Sequence, residues 1–125
     1  MINALLVMVH GSPRESANKD MFRVVEIARA RGDFKIVEVG FMECNEPSIP
    51  GAIADCIRQG ADGIVAVPYF LHTGTHVADD LPTLLEEAAE QYPGVEFAIG
   101  RHIGRSDRLT VILEERIAAR LSETA

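Results

Sequence analysis

The sequence predicts an α/β fold, a three-layer sandwich in which a four-stranded parallel sheet carries helices on both faces. Three observations lead there. Four short apolar runs alternate with four stretches of helical period along the 125 residues. The first run, Ala4 to Val9, is apolar at every position, as a strand covered on both faces must be. Each interval between runs is long enough to hold a helix, which parallel strands need as a crossover and which makes the connection right-handed.

Taken in order, Asn3 to Val9 make the first strand, and the polar loop His10 to Ser16 leads into a helix with Met21, Val24, Val25 and Ala28 on one side, ended by Gly32. Phe34, Ile36, Val37, Val39 and Phe41 form the second strand. The Pro47-Ser48 step caps a second helix whose Ile49, Ile53 and Ile57 recur every fourth residue, with Gly60 behind it. Ile64 to Val67 form the third strand, and a loop rich in Gly, His and Thr extends to Val77. Asp79, Asp80 and Pro82 are expected to open a third helix carrying Leu81, Leu84, Leu85, Ala88 and Tyr92, broken by Pro93-Gly94. Val95 to Ile99 make the fourth strand. A last helix then presents Leu109, Ile112, Leu113, Ile117 and Leu121 on one stripe. The order βαβαβαβα fits a single domain over residues 1–125, and no repeat, linker or low-complexity segment interrupts it.

Composition narrows the function. Twelve Lys and Arg against 19 Asp and Glu give a formal net charge of -7, with no basic block, which argues against a nucleic-acid or anionic-membrane partner. No apolar run reaches the length of a membrane span, and no secretory leader pattern follows Met1, so a cytoplasmic location is expected. Cys44 and Cys56 match neither a CxxC pair nor a zinc-finger spacing, and Cys56 falls on the apolar stripe of the second helix.

The four histidines carry the chemical signal, because all of them fall in segments that follow strands: His10 after the first, His72 and His76 after the third, His102 after the fourth. Glu43 follows the second. In a parallel sheet these exits share one edge, where ligands bind. Imidazoles with a carboxylate make a borderline-soft donor set suited to a divalent Fe, Co, Ni or Zn ion. The absence of a Cys partner points to an open site. No G-x-S-x-G elbow, G-x-G-x-x-G turn or P-loop occurs. The loop Gly11 to Ser16 ahead of a helix keeps one rival open, a flavodoxin-like module binding flavin or another phosphate ligand. A non-catalytic metal carrier is another.

Three ordered blocks carry a family resemblance: Leu6-Val7-Met8-Val9-His10-Gly11-Ser12; Gly40-Phe41-Met42-Glu43 with Glu46-Pro47-Ser48-Ile49-Pro50; and Val67-Pro68-Tyr69-Phe70-Leu71 with Gly74-Thr75-His76-Val77 and Asp80-Leu81-Pro82. Over residues 4 to 105 the chain resembles the class II tetrapyrrole chelatases, and more closely the short, single-domain sirohydrochlorin chelatases of the CbiX type. The resemblance implies insertion of Co2+, Fe2+ or Ni2+ into sirohydrochlorin with loss of two protons, in cobalamin or sirohaem synthesis, with the metal as a substrate and no organic cofactor. Carried onto this sequence, it places the metal-handling and proton-accepting histidines at His10 and His76 and their acidic partner at Glu43. Sirohydrochlorin is a polycarboxylate, so substrate binding is expected of Ser12, Arg14, His72 and Arg101, with Lys19, Arg105 and Arg108 nearby. A macrocycle is too wide for one such domain to enclose, and a homodimer is expected.

Overall fold

The computed structural model describes the backbone of residues 1–72 and 74–124, and the side chains of all of these except Thr75, His76, Val77 and Thr124. Strands β1 (Ala4–Val9), β2 (Ile36–Phe41), β3 (Gly63–Pro68) and β4 (Glu96–Ile99) form one sheet in the order β2-β1-β3-β4. Every pairing is parallel: Val7 stands between Val39 and Val67, and Ile64 beside Phe97. The helices are α1 (Lys19–Arg31), α2 (Ile49–Arg58), α3 (Thr75–Gln91) and α4 (Arg108–Thr124).

Alternation along the strands sends successive side chains to opposite faces. Leu6, Met8, Ile36, Ile64 and Ala66 face α2 and α3, where they meet Ile49, Ile53, Cys56, Leu81 and Leu85. Val7, Val9, Val37, Val39 and Phe41 face α1 and pack on Met21 and Val25. β1 is therefore covered on both sides, as its unbroken apolar run requires. Local signals fix the helix ends. The Ser48 hydroxyl accepts the Gly51 N–H at 3.1 Å, which satisfies one of the free donors of α2. Gly32 closes α1 in the left-handed region, at φ 75°.

Two elements depart from the sequence expectation. α3 opens at Thr75, not at Asp79, and Pro82 lies inside it. The Ala78 N–H already bonds the Gly74 carbonyl at 3.0 Å, so Asp79 and Asp80 are within the helix and cap nothing. Pro82 lacks the N–H that would bond the Ala78 carbonyl one turn back, and next to it the Thr83 hydroxyl donates to the Asp79 carbonyl at 2.9 Å. Position His76 thus stands in the first turn of a helix. α4 is the second departure. Its stripe covers no part of this sheet: from Arg108 to Glu123, Leu109 is half-buried and every other side chain is exposed.

Candidate functional site

Because all four strands are parallel, their carboxyl ends open on one edge. The strand order reverses between β1 and β3, since β1 leads outward to β2 while α2 carries the chain back across to β3. Such a switch point is where the flanking loops part and leave a crevice. His10 follows β1 at that point, and Tyr69 and Phe70 follow β3.

The β1 and β2 exits are bonded together. Met42 N–H bonds the Val9 carbonyl at 2.8 Å, and Glu43 N–H bonds the His10 carbonyl at 3.0 Å, extending the ladder beyond both strands. This brings the side chains together: His10 Nε2 lies 2.7 Å from Glu43 Oε1. Both are open to solvent, at 57 % and 60 % exposed, so a large ligand can reach them. The imidazole ring stands edge-on to Phe70, with centroids 6.5 Å apart and planes at 85°. A carboxylate below and an aromatic ring beside it fix the orientation of His10.

Gly11 makes the crossing possible. Its φ is +96°, and a Cβ there would run into the Glu43 carbonyl oxygen. The loop is then tied down by Asn45, whose Oδ1 accepts the Ser12 N–H at 2.7 Å and the Asn18 side-chain amide at 3.3 Å. The Ser12 hydroxyl accepts the Arg14 N–H at 3.2 Å, and the Arg14 carbonyl accepts the Ala17 N–H at 3.1 Å. These bonds take up the Ser12 and Arg14 N–H groups, two of the donors a phosphate would use, and brace the loop from Gly11 to Ser16.

The other expected residues are distributed along the same edge. His72 is exposed in the β3–α3 connection. Arg14 and Arg101 are exposed and carry no ion pair among the described residues. Arg101, His102 and Arg105 line a groove of about 350 Å³ whose floor is Pro68, Ala78, Leu81, Pro82 and Ile99, an apolar trough with a cationic rim. The His76 side chain lies outside the described residues. Among the described ones, no three His, Cys, Asp or Glu side chains gather as a metal cage, and the His10–Glu43 pair stands as the donor cluster.

Three contributors escaped sequence reasoning. Asn45 bears a side chain common in turns, and only its bonds across 27 and 33 residues give it importance. Phe70 stood in the sequence only as part of a motif; it packs on the core, and it also abuts His10. Gly11 was read as part of a possible phosphate loop, whereas its lack of a side chain admits the Glu43 backbone.

Fold and site together define a parallel α/β domain with an oriented imidazole–carboxylate pair at its switch point and, on the same sheet edge, an apolar trough with a basic rim. Comparison with known proteins specifies the class. The CbiX family model matches residues 4–120, and the chain belongs to that family. It is 32 % identical over 120 residues to the chloroplastic sirohydrochlorin ferrochelatase of Arabidopsis thaliana, covering 96 % of this chain and 53 % of that one. It is 34 % identical over 113 residues to the sirohydrochlorin cobaltochelatase of Sulfurisphaera tokodaii, covering 90 % of this chain and 89 % of that one. Among solved structures, the sirohydrochlorin chelatase SirB of Bacillus subtilis subspecies spizizenii in complex with cobalt superposes with a TM-score of 0.87 at 29 % identity, over 95 % of this chain and 51 % of that one. The chain spans about half the length of several of the curated relatives it matches. Their names specify iron and cobalt as the metals. Among the described residues no helix is long and apolar enough to cross a membrane.

Proposed function

We propose that this chain is a sirohydrochlorin chelatase, an enzyme that inserts a divalent metal ion, Co2+, Fe2+ or Ni2+, into sirohydrochlorin and releases two protons, serving cobalamin or sirohaem synthesis in the cytoplasm. The observation that carries the reading is the 2.7 Å pair of His10 Nε2 and Glu43 Oε1, held open at the switch point of a CbiX-family sheet.

The chemistry needs such a pair. Two pyrrole N–H bonds must break as the metal enters; their electron pairs stay on nitrogen and bind the metal, and the protons need acceptors that work near neutral pH. Imidazole meets that need. Glu43 accepts the Nε2 proton of His10, which leaves the lone pair on Nδ1 for the incoming metal or for a pyrrole proton. The negative carboxylate stabilises the imidazolium that proton transfer creates. His76, at the second position of α3 on the same edge, is assigned the second proton and a share in presenting the metal. Two imidazoles and a carboxylate hold a divalent ion without the thiolates that would retain it, so the four macrocycle nitrogens can take it over.

The trough on the same sheet edge supports the substrate assignment. Its apolar floor suits the face of a tetrapyrrole, and Arg101, with Arg14, Ser12 and His72 along the edge, meets the carboxylates at the rim of the macrocycle. One domain leaves both His10 and the trough uncovered, and a second copy closes the site as a homodimer. No organic cofactor is required, because no electrons are transferred.

The test is anaerobic metallation of sirohydrochlorin followed by its visible spectrum. Acceleration over the spontaneous rate with Co2+ or Fe2+ is expected, and its absence with every metal refutes the activity. His10→Ala and His76→Ala should each nearly abolish turnover while His102→Ala leaves most of it. Equal losses in all three would overturn the residue assignments.

A further inference from the structure

The His10 imidazole meets the Glu43 carboxylate at 2.7 Å and the Phe70 ring edge-on, with centroids 6.5 Å apart. Both members of the His10–Glu43 pair are more than half exposed, so water competes for each, and a bond between two such groups holds a ring weakly. A fixed wall holds it better. Phe70 is anchored well enough to be that wall, because its side chain is half-buried against the core between the sheet and the α2–α3 layer. Its backbone is tied on both sides. The Tyr69 N–H bonds the Met8 carbonyl at 2.8 Å, which carries the β1–β3 ladder past the end of β3, and the Phe70 carbonyl accepts the Gly104 N–H at 2.9 Å.

The bond from Gly104 leads to the trough. The segment after β4 hangs on β3 and its exit at two points, the Gly100 N–H on the Ala66 carbonyl at 2.8 Å and the Gly104 N–H on the Phe70 carbonyl. Arg101 and His102, which line the trough, lie between these points, and Arg105 follows the second. That second point needs a glycine. A Cβ at Gly104 would run into the Leu71 carbonyl oxygen and lie 3.1 Å from His102 Cδ2. The backbone that carries the Phe70 ring to His10 therefore also carries the cationic rim.

We infer that Phe70 is a positioning residue for metallation: its ring limits the rotation of the His10 imidazole so that Nε2 stays on Glu43, and Gly104 sets where that ring stands relative to the rim. The inference rests on the chelatase reading of the site. Packing by itself does not call for an aromatic residue here, since leucine fills a half-buried apolar place but offers no flat ring. Edge-on ring pairs, by contrast, are favoured beyond the area they bury. Without the ring the imidazole turns between solvent and Glu43, and the Nε2–H form, which leaves Nδ1 free, is populated for less of the time. The trough is untouched by that change, so the loss falls on turnover and not on substrate binding. Moving Gly104 instead disturbs both, because the rim and the ring share its anchor.

The test follows the imidazole as well as the rate. In the full chain with isotope-labelled histidine, at one fixed pH and without metal, nuclear magnetic resonance of the ring nitrogens identifies His10 by the signals that His10→Gln lacks. The unaltered protein should show the Nε2–H form, Phe70→Leu a mixture of both neutral forms, and Phe70→Tyr, which keeps the ring, the first form again. In anaerobic metallation of sirohydrochlorin with Co2+, kcat should fall about 2–10-fold in Phe70→Leu at unchanged KM, the weight of one edge-on ring contact, and recover in Phe70→Tyr. Gly104→Ala should shift the His10 signals the same way and also raise KM, whereas Gly94→Ala, with nothing within 4 Å of its missing Cβ, should change neither. Should the leucine variant lose its native fold, Phe70→Met repeats the comparison with a more adaptable side chain. His10 signals unmoved by loss of the ring, or a loss that Phe70→Tyr does not recover, overturn the positioning role. Unmoved signals in Gly104→Ala overturn the part given to Gly104. An unaltered protein that metallates nothing refutes the proposed function, and the ring signals still decide whether Phe70 holds His10.

Discussion

Replacing Gly11 by alanine tests the crossing on which the site is built. The backbone at Gly11 has φ +96°, and a Cβ there overlaps the Glu43 carbonyl oxygen and lies 3.2 Å from Asn45 Oδ1. That carbonyl is backbone and accepts the Asn45 N–H at 2.8 Å, so it cannot turn away like the end of a flexible side chain. The left-handed conformation alone costs an alanine about 1–2 kcal/mol. Moving the Glu43 backbone also loosens three hydrogen bonds: Met42 to Val9, Glu43 to His10 and Ser12 to Asn45. Each contributes about 0.5–1.5 kcal/mol. The expected total is about 3–5 kcal/mol, and the His10–Glu43 pair separates with it. Gly32→Ala is the control, because Gly32 is also left-handed, at φ +75°, but has nothing within 4 Å of its missing Cβ. It should lose only the conformational part. In thermal unfolding the difference is a fall in Tm of about 10–20 °C for Gly11→Ala against about 3–8 °C for Gly32→Ala. Metallation should collapse in the first and persist in the second. Equal losses of stability, or full activity in Gly11→Ala, would refute the reasoning.

Three further outcomes follow from the geometry. Glu43→Gln keeps the shape but loses the charge beside His10, so metallation should fall about 10–100-fold, while Tm hardly moves because the pair is more than half exposed; retained activity would show that the carboxylate is dispensable. Burial, and then the Glu38 carboxylate, push the Cys56 thiol up from 9.0 to about 12, so a thiol reagent at pH 8 should titrate Cys44 alone in the native protein and both thiols after unfolding. The sign for stability follows: the folded state holds the Cys56 proton more tightly, so its contribution is full below pH 9 and is lost as pH rises towards 12, at about 1.4 kcal/mol per unit. Urea titrations of Cys56→Ala should lack that alkaline slope, and an unchanged slope would rule the thiol out as its source. Ser48→Ala removes the acceptor at the start of α2 and should cost about 1 kcal/mol with metallation intact; a loss of activity without loss of stability would mean that Ser48 does more than cap.

The sequence by itself determined the strand–helix alternation, the parallel sheet and the edge at which His10 and Glu43 emerge. These follow from periodicity and from the handedness of crossovers, which act over a few residues and leave a pattern in the chain. It also marked Gly32 and Ser48 as helix ends for the same local reason. The start of α3 was misread because proline is favoured in a first turn, and only the bond from Ala78 N–H to the Gly74 carbonyl shows the helix already under way four residues earlier. The contact of His10 with Glu43, the passage of the Glu43 backbone over Gly11 and the clamp of Asn45 on Ser12 join residues some thirty positions apart, and a linear pattern holds no trace of such distances. The stripe on α4 was legible, but its destination was not. Periodicity tells that a face must be covered, whereas what covers it depends on where the connecting loop releases the helix, and that is decided in three dimensions.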